Sequence, residues 1–102
     1  MDQYDVFENP NRDARGAFPF VVVLQSEVTR GQQTVIVAPL SPKVTAPPDR
    51  LTPSVEIGGR EYAVLLQSMA AIRSNSLRTA VTRLDQLRET LPRAIDLLFL
   101  GF

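Results

Sequence analysis

Apolar and polar positions divide this chain into a β-rich stretch and a helical end, and the change of period marks the boundary between them. Residues 4–7 read as a short strand, ended by Asn9-Pro10-Asn11 and a polar loop through Gly16. Residues 18–26 read as a second strand. Its Phe20-Val21-Val22-Val23-Leu24 run is apolar at every position and largely β-branched, as expected of a strand covered on both faces. Arg30-Gly31-Gln32 supplies a turn into residues 33–40, so these two strands are expected to pair as an antiparallel hairpin. Pro42, Pro47 and Pro48 make residues 41–50 a loop, with too little chain on either side for two cores. Val55 and Ile57 then alternate with Ser54 and Glu56, and Gly58-Gly59 turns the chain tightly into residues 61–67 as a second hairpin. Residues 69–72 add a further short strand.

The last part of the chain has a helical period. At about 100° per residue, Leu84, Leu87, Leu91, Ala94, Ile95 and Leu98 fall on one side, which is the core-facing stripe of an amphipathic helix. Leu100 falls nearly opposite and Leu97 lies off the stripe, so the last turn carries more apolar surface than one packing face uses. The run through Phe102, with no polar tail, is therefore read as a contact surface. Asp85 is the candidate N-cap. Pro92 cannot donate to the Arg88 carbonyl, so the helix must bend there or begin later than Asp85. The predicted class is mainly β with a C-terminal α-helix, in one domain spanning residues 1–102.

Composition narrows the chemistry. The chain has no Cys and no His, which removes disulfides, thiolate nucleophiles, imidazole bases and the commonest zinc ligands together. No metal and no cofactor is expected. Without histidine, binding to a target should change little between about pH 6 and 8. The start, Met1-Asp2-Gln3-Tyr4-Asp5, lacks a secretory pattern and no apolar stretch reaches membrane-spanning length, so a soluble cytoplasmic protein is the expectation. The 11 basic residues balance 11 acidic ones, which argues against nucleic acid as the main partner. Arg73, Arg78, Arg83, Arg88 and Arg93 recur every five residues. Five residues turn a helix by about 140°, so these arginines read as scattered, solvated charges rather than a stripe.

Catalytic motifs are scarce. No phosphate-binding glycine loop, nucleophile elbow or readable carboxylate pair is present, and Gly58-Gly59 reads as a hairpin turn. Gln25-Ser26-Glu27 offers a hydroxyl beside a carboxylate, but without His or an oxyanion site it reads as polar residues leaving a strand end. No catalytic residue is assigned.

Five segments carry a resemblance. Gln25-Ser26-Glu27, Val37-Ala38-Pro39-Leu40, Leu51-Thr52-Pro53-Ser54-Val55-Glu56-Ile57-Gly58, Met69-Ala70 and Ala94-Ile95-Asp96-Leu97-Leu98-Phe99, closing on Leu100-Gly101-Phe102, occur in this order. Together they resemble the CcdB toxins of bacterial toxin–antitoxin systems over nearly the whole chain. The resemblance implies an SH3-like β-barrel of the type shared by CcdB, MazF and Kid toxins, with a five-stranded sheet, a smaller sheet and a C-terminal helix, assembled as a homodimer. It implies a poison that enters the cleft of the DNA gyrase A subunit and traps the enzyme on cleaved DNA. A CcdA-type antitoxin would disarm it, and the two would repress their operon together, with operator DNA contacted only through the antitoxin.

Carried over by position, the gyrase-binding residues are Leu100, Gly101 and Phe102, joined by Asp96 and by Glu27 and Val28 at the end of the second strand. The usual family ending is Trp-Gly-Ile, so Leu100 is the main departure: it buries area but offers no π face to a guanidinium. Three outcomes follow from it: a gyrase with a matching pocket, a different type II topoisomerase, or a weakened toxin that still binds its antitoxin. Another function class stays open, since MazF and Kid share the fold and cut RNA. An RNA groove should be basic, whereas this chain is neutral and carries one lysine, Lys43. A third class is a non-toxic interaction protein whose apolar terminus closes a dimer.

Overall fold

The computed structural model describes residues 1–26, 33–42 and 51–101. Among them are the strands β1 (Asp5–Glu8), β2 (Phe20–Val23), β3 (Thr34–Pro42), β4 (Ser54–Ile57), β5 (Arg60–Val64), β6 (Ala70–Arg73) and β7 (Ala80–Arg83), followed by the helix α1 (Leu87–Leu100). The class is mainly β with one C-terminal helix. All strand pairs are antiparallel.

β3 organises the sheet. One edge pairs with β2, and β1 and β7 follow outward; the other edge pairs first with β6, from Thr34 to Val37, and then with β5, from Leu40 to Pro42. Thus β6, β3, β2, β1 and β7 form a five-stranded array, and β4, β5 and the end of β3 form a smaller one, continuous through β3. The switch occurs at a proline. Pro39 accepts from the Leu65 N–H at 3.0 Å, so its own nitrogen faces the same side, where β6 has ended and β5 has not begun. A residue without an N–H therefore stands where no ladder partner is available, which is how a central strand tolerates it.

Both faces of the sheet are buried at β1, β2 and β3, and this accounts for the continuous apolar run in β2. Val22 joins Val6, Ala38, Leu40 and Val64 in the larger core, while Val21 and Val23 join Phe7, Val35 and Val37 on the opposite face. The larger core is closed by α1 and the turn before it: Leu84 from the turn and Leu87, Leu91 and Ala94 from the helix are buried in it, with Ile95 and Leu98 packed against it. Each fully buried leucine contributes about 1.5–3 kcal/mol relative to an exposed one. Phe20 and Tyr62 meet edge to face across β3, with ring centroids 5.5 Å apart.

Several boundaries differ from the sequence expectation. β1 starts at Asp5 because Tyr4 is held at φ 72°, a left-handed backbone unusual for a bulky residue. Its N–H donates to Val23 and its carbonyl accepts from Leu84, at 2.8 and 3.0 Å, so backbone pairing on both sides holds the strain. β3 extends through Pro42, and β5 stops at Val64 before a 3-10 turn over Leu66–Ser68. β7 was not anticipated. The helix begins at Leu87, after Asp85, and runs through Pro92; no side chain caps it, and Leu84 and Asp85 carbonyls take the Leu87 and Arg88 N–H groups instead. The Asp85 carboxylate pairs with Arg83 and Arg88 at 3.3 and 3.6 Å rather than capping. The expected turn at residues 30–32 and most of the expected loop at 41–50 lie outside the described residues.

Candidate functional site

The end of α1 is built by the mismatch between its stripe and its length. Ala94 is buried, Ile95 and Leu98 pack on the core, and the helix then continues past the surface they cover. Phe99 and Leu100 are left 65% and 62% exposed, the most exposed large apolar side chains among the described residues. Leu97 is half-buried. Asp96 is exposed and lies three and four residues before Phe99 and Leu100, the spacing that puts all three on one helix face. A carboxylate thus borders an apolar tip.

Gly101 ends the helix with φ 82° and ψ 5°, and its N–H donates to the Leu97 carbonyl at 3.1 Å. This is the left-handed cap that glycine adopts without a Cβ penalty. A Cβ placed there would meet nothing within 4 Å, so the residue is required by backbone conformation and not by crowding. The chain is thereby redirected directly after Leu100.

Of the sequence-predicted residues, Leu100, Gly101 and Asp96 are brought together. Phe102, Glu27 and Val28 lie outside the described residues. Ser26, just before Glu27, lines a cleft with Gln3, Tyr4, Arg83 and Arg88 at the beginning of α1. Arg88 precedes Leu100 by more than three turns, or about 18 Å along the axis. Gln25, read as leaving the sheet, is structural: its Oε1 accepts the Ile36 N–H at 2.6 Å. Phe99 is the residue that sequence reasoning left unassigned, although its position outside the core stripe already separated it from Leu98.

No group of three or more His, Cys, Asp or Glu among the described residues could hold a metal ion. No helix among them is long and apolar enough to cross a membrane. The apolar tip, the neighbouring carboxylate and the left-handed glycine lie together at the exposed end of α1.

No curated protein matches the chain. A family model described as CcdB protein matches residues 3–101. The match runs through the sheet and the whole of α1 to Gly101, and by it the chain belongs to the CcdB family, the toxins of toxin–antitoxin systems.

Proposed function

We propose that this protein poisons DNA gyrase by inserting the end of α1 into the cleft of the A-subunit dimer, holding the enzyme on cleaved DNA. The exposure of Phe99 and Leu100 beyond a core-packed stripe is the observation that carries this reading. A wedge needs shape and apolar area rather than a nucleophile. Leu100 supplies area, Phe99 supplies an aromatic face adjacent to it, and Gly101 ends the helix in a left-handed conformation; Phe102 belongs to the same proposed set through the family resemblance. Asp96 offers a carboxylate to a cation or amide at the rim. Glu27 and Val28 belong to the same proposed gyrase-binding set through the family resemblance.

The acting form is a cytoplasmic homodimer matched to the two-fold symmetry of its target. A CcdA-type antitoxin neutralises it, and the pair represses its own operon with the antitoxin making the DNA contacts. Family membership supports this arrangement.

Calorimetric titration of a gyrase A-subunit dimer tests the docking element. Leu100→Asp should weaken binding by at least about tenfold, because a charge would be buried at the centre of the interface. Its thermal melt should stay unchanged, since the side chain is already exposed. Equal affinity of the two proteins would remove Leu100 from the interface.

A further inference from the structure

A second built surface lies at the far end of the β1–β7 pair from the start of α1. At one end of this pair the Leu84 N–H meets the Tyr4 carbonyl; at the other the Glu8 N–H meets the Thr79 carbonyl at 3.0 Å. Beyond Glu8 opens a cleft of about 600 Å³, walled by the loop after β1, with Arg12 and Arg15, and by the turn before β7, with Asn75, Arg78 and Thr79. Three arginines and one glutamate line it. Glu8 lies 3.9 Å from Arg15, and both side chains are well exposed, so that pair neutralises little. Arg12 and Arg78 form no ion pair among the described residues.

Both walls are pre-organised. Buried Asn9 donates from Nδ2 to the Phe18 carbonyl at 2.8 Å and accepts the Asn11 N–H at 3.0 Å. Its own carbonyl accepts from Arg15 Nε at 2.7 Å, which holds that guanidinium at the cleft. Asn11 in turn accepts the Asp13 N–H and caps the short turn Arg12–Ala14. On the other wall Leu77 is buried, Ser76 Oγ donates to the Arg73 carbonyl, and the Ser74 N–H donates to the Gln33 carbonyl.

We propose that this cleft binds a phosphoryl group. Guanidinium forks match the paired oxygens of a phosphate, and the Asn75 amide and Thr79 hydroxyl add donors at the same place. Pro10 is the sole apolar lining residue among the described ones, so a peptide would find no pocket for the buried side chains that anchor protein partners. The phosphoryl group belongs either to a small phosphate or to a nucleic-acid backbone, and the site is independent of the gyrase reading. Sequence spacing placed Arg78 in a scattered series; the β1–β7 pairing sets it beside Arg12 and Arg15.

Titration of the full chain at low ionic strength, with pyrophosphate and in parallel with a mixed-sequence single-stranded DNA dodecamer, tests the proposal. Saturable binding is expected, weakened about fivefold by Arg12→Gln and by Arg78→Gln separately and lost in the double variant. Arg93→Gln, on α1, should bind as the parent does. These arginines are exposed, so melting temperatures should stay within about 2 °C. Dodecamer binding more than about tenfold tighter than pyrophosphate, and falling with salt, assigns the cleft to a nucleic-acid backbone; comparable binding assigns it to a small phosphate. Absence of saturation below about 10 mM of either probe, full binding by the double variant, or tighter binding of a polyglutamate peptide would each overturn it.

Discussion

The Gly101 N–H closes on the Leu97 carbonyl at 3.1 Å while Gly101 sits at φ 82°, so one residue both satisfies the helix end and redirects the chain after Leu100. Gly101→Ala should force a left-handed alanine at a cost of about 1–2 kcal/mol or unwind the helix end. Because fraying of the final turn can relieve that strain, a small fall in melting temperature is expected together with a larger loss of target affinity. Calorimetry on both quantities separates the two, and equal losses would show the cap to be purely structural.

Leu91 ties the helix to the sheet. It is 1% exposed in the larger core, one turn beyond Leu87, where a truncated side chain would leave a cavity. Leu91→Ala should cost about 2–5 kcal/mol, read as a lower urea midpoint at an unchanged slope.

Asn9 is the one buried polar side chain among the described residues, and its amide bridges the Phe18 carbonyl and the Asn11 N–H. Asn9→Ala strands both groups and should cost about 1–3 kcal/mol. Hydrogen exchange should quicken most at Asn11 and Asp13, with the β3 amides little changed.

Glu56 and Glu61 stand directly opposite each other in the β4–β5 hairpin, and only Glu61 receives a hydrogen bond there, from Ser54 Oγ at 3.0 Å. Replacing one like charge by its opposite should help: Glu56→Lys is expected to stabilise the protein by about 0.2–1 kcal/mol in low salt. The gain should shrink as salt is added, in a melting series run from low to high ionic strength.

Legibility followed how locally each feature is determined. The β4–β5 hairpin was readable because Gly58 and Gly59 take φ of 60° and 81°, which a two-residue turn demands and glycine advertises. The α1 stripe was readable because burial there follows the helical period, and the same period set Leu100 apart. β7 was not readable. Ala80, Val81, Thr82 and Arg83 are all exposed, so no alternation marks them, and the strand exists through its pairing with β1. The cleft that joins Arg12 to Arg78 was hidden for the same reason. Tyr4 shows a different limit, since nothing in a tyrosine signals a left-handed backbone imposed by pairing partners on both sides. At the candidate site, the resemblance supplied Gly101 and Asp96, helical geometry supplied Leu100, and exposure added Phe99.

The most direct measurement is a DNA-cleavage assay with gyrase from the protein's own host, comparing the full chain with one ending at Phe99. The account predicts gyrase-linked, cleaved DNA with the full chain and none with the shortened one, both proteins being folded. Cleavage by both, or by neither, would contradict a poison that acts through the residues following Phe99.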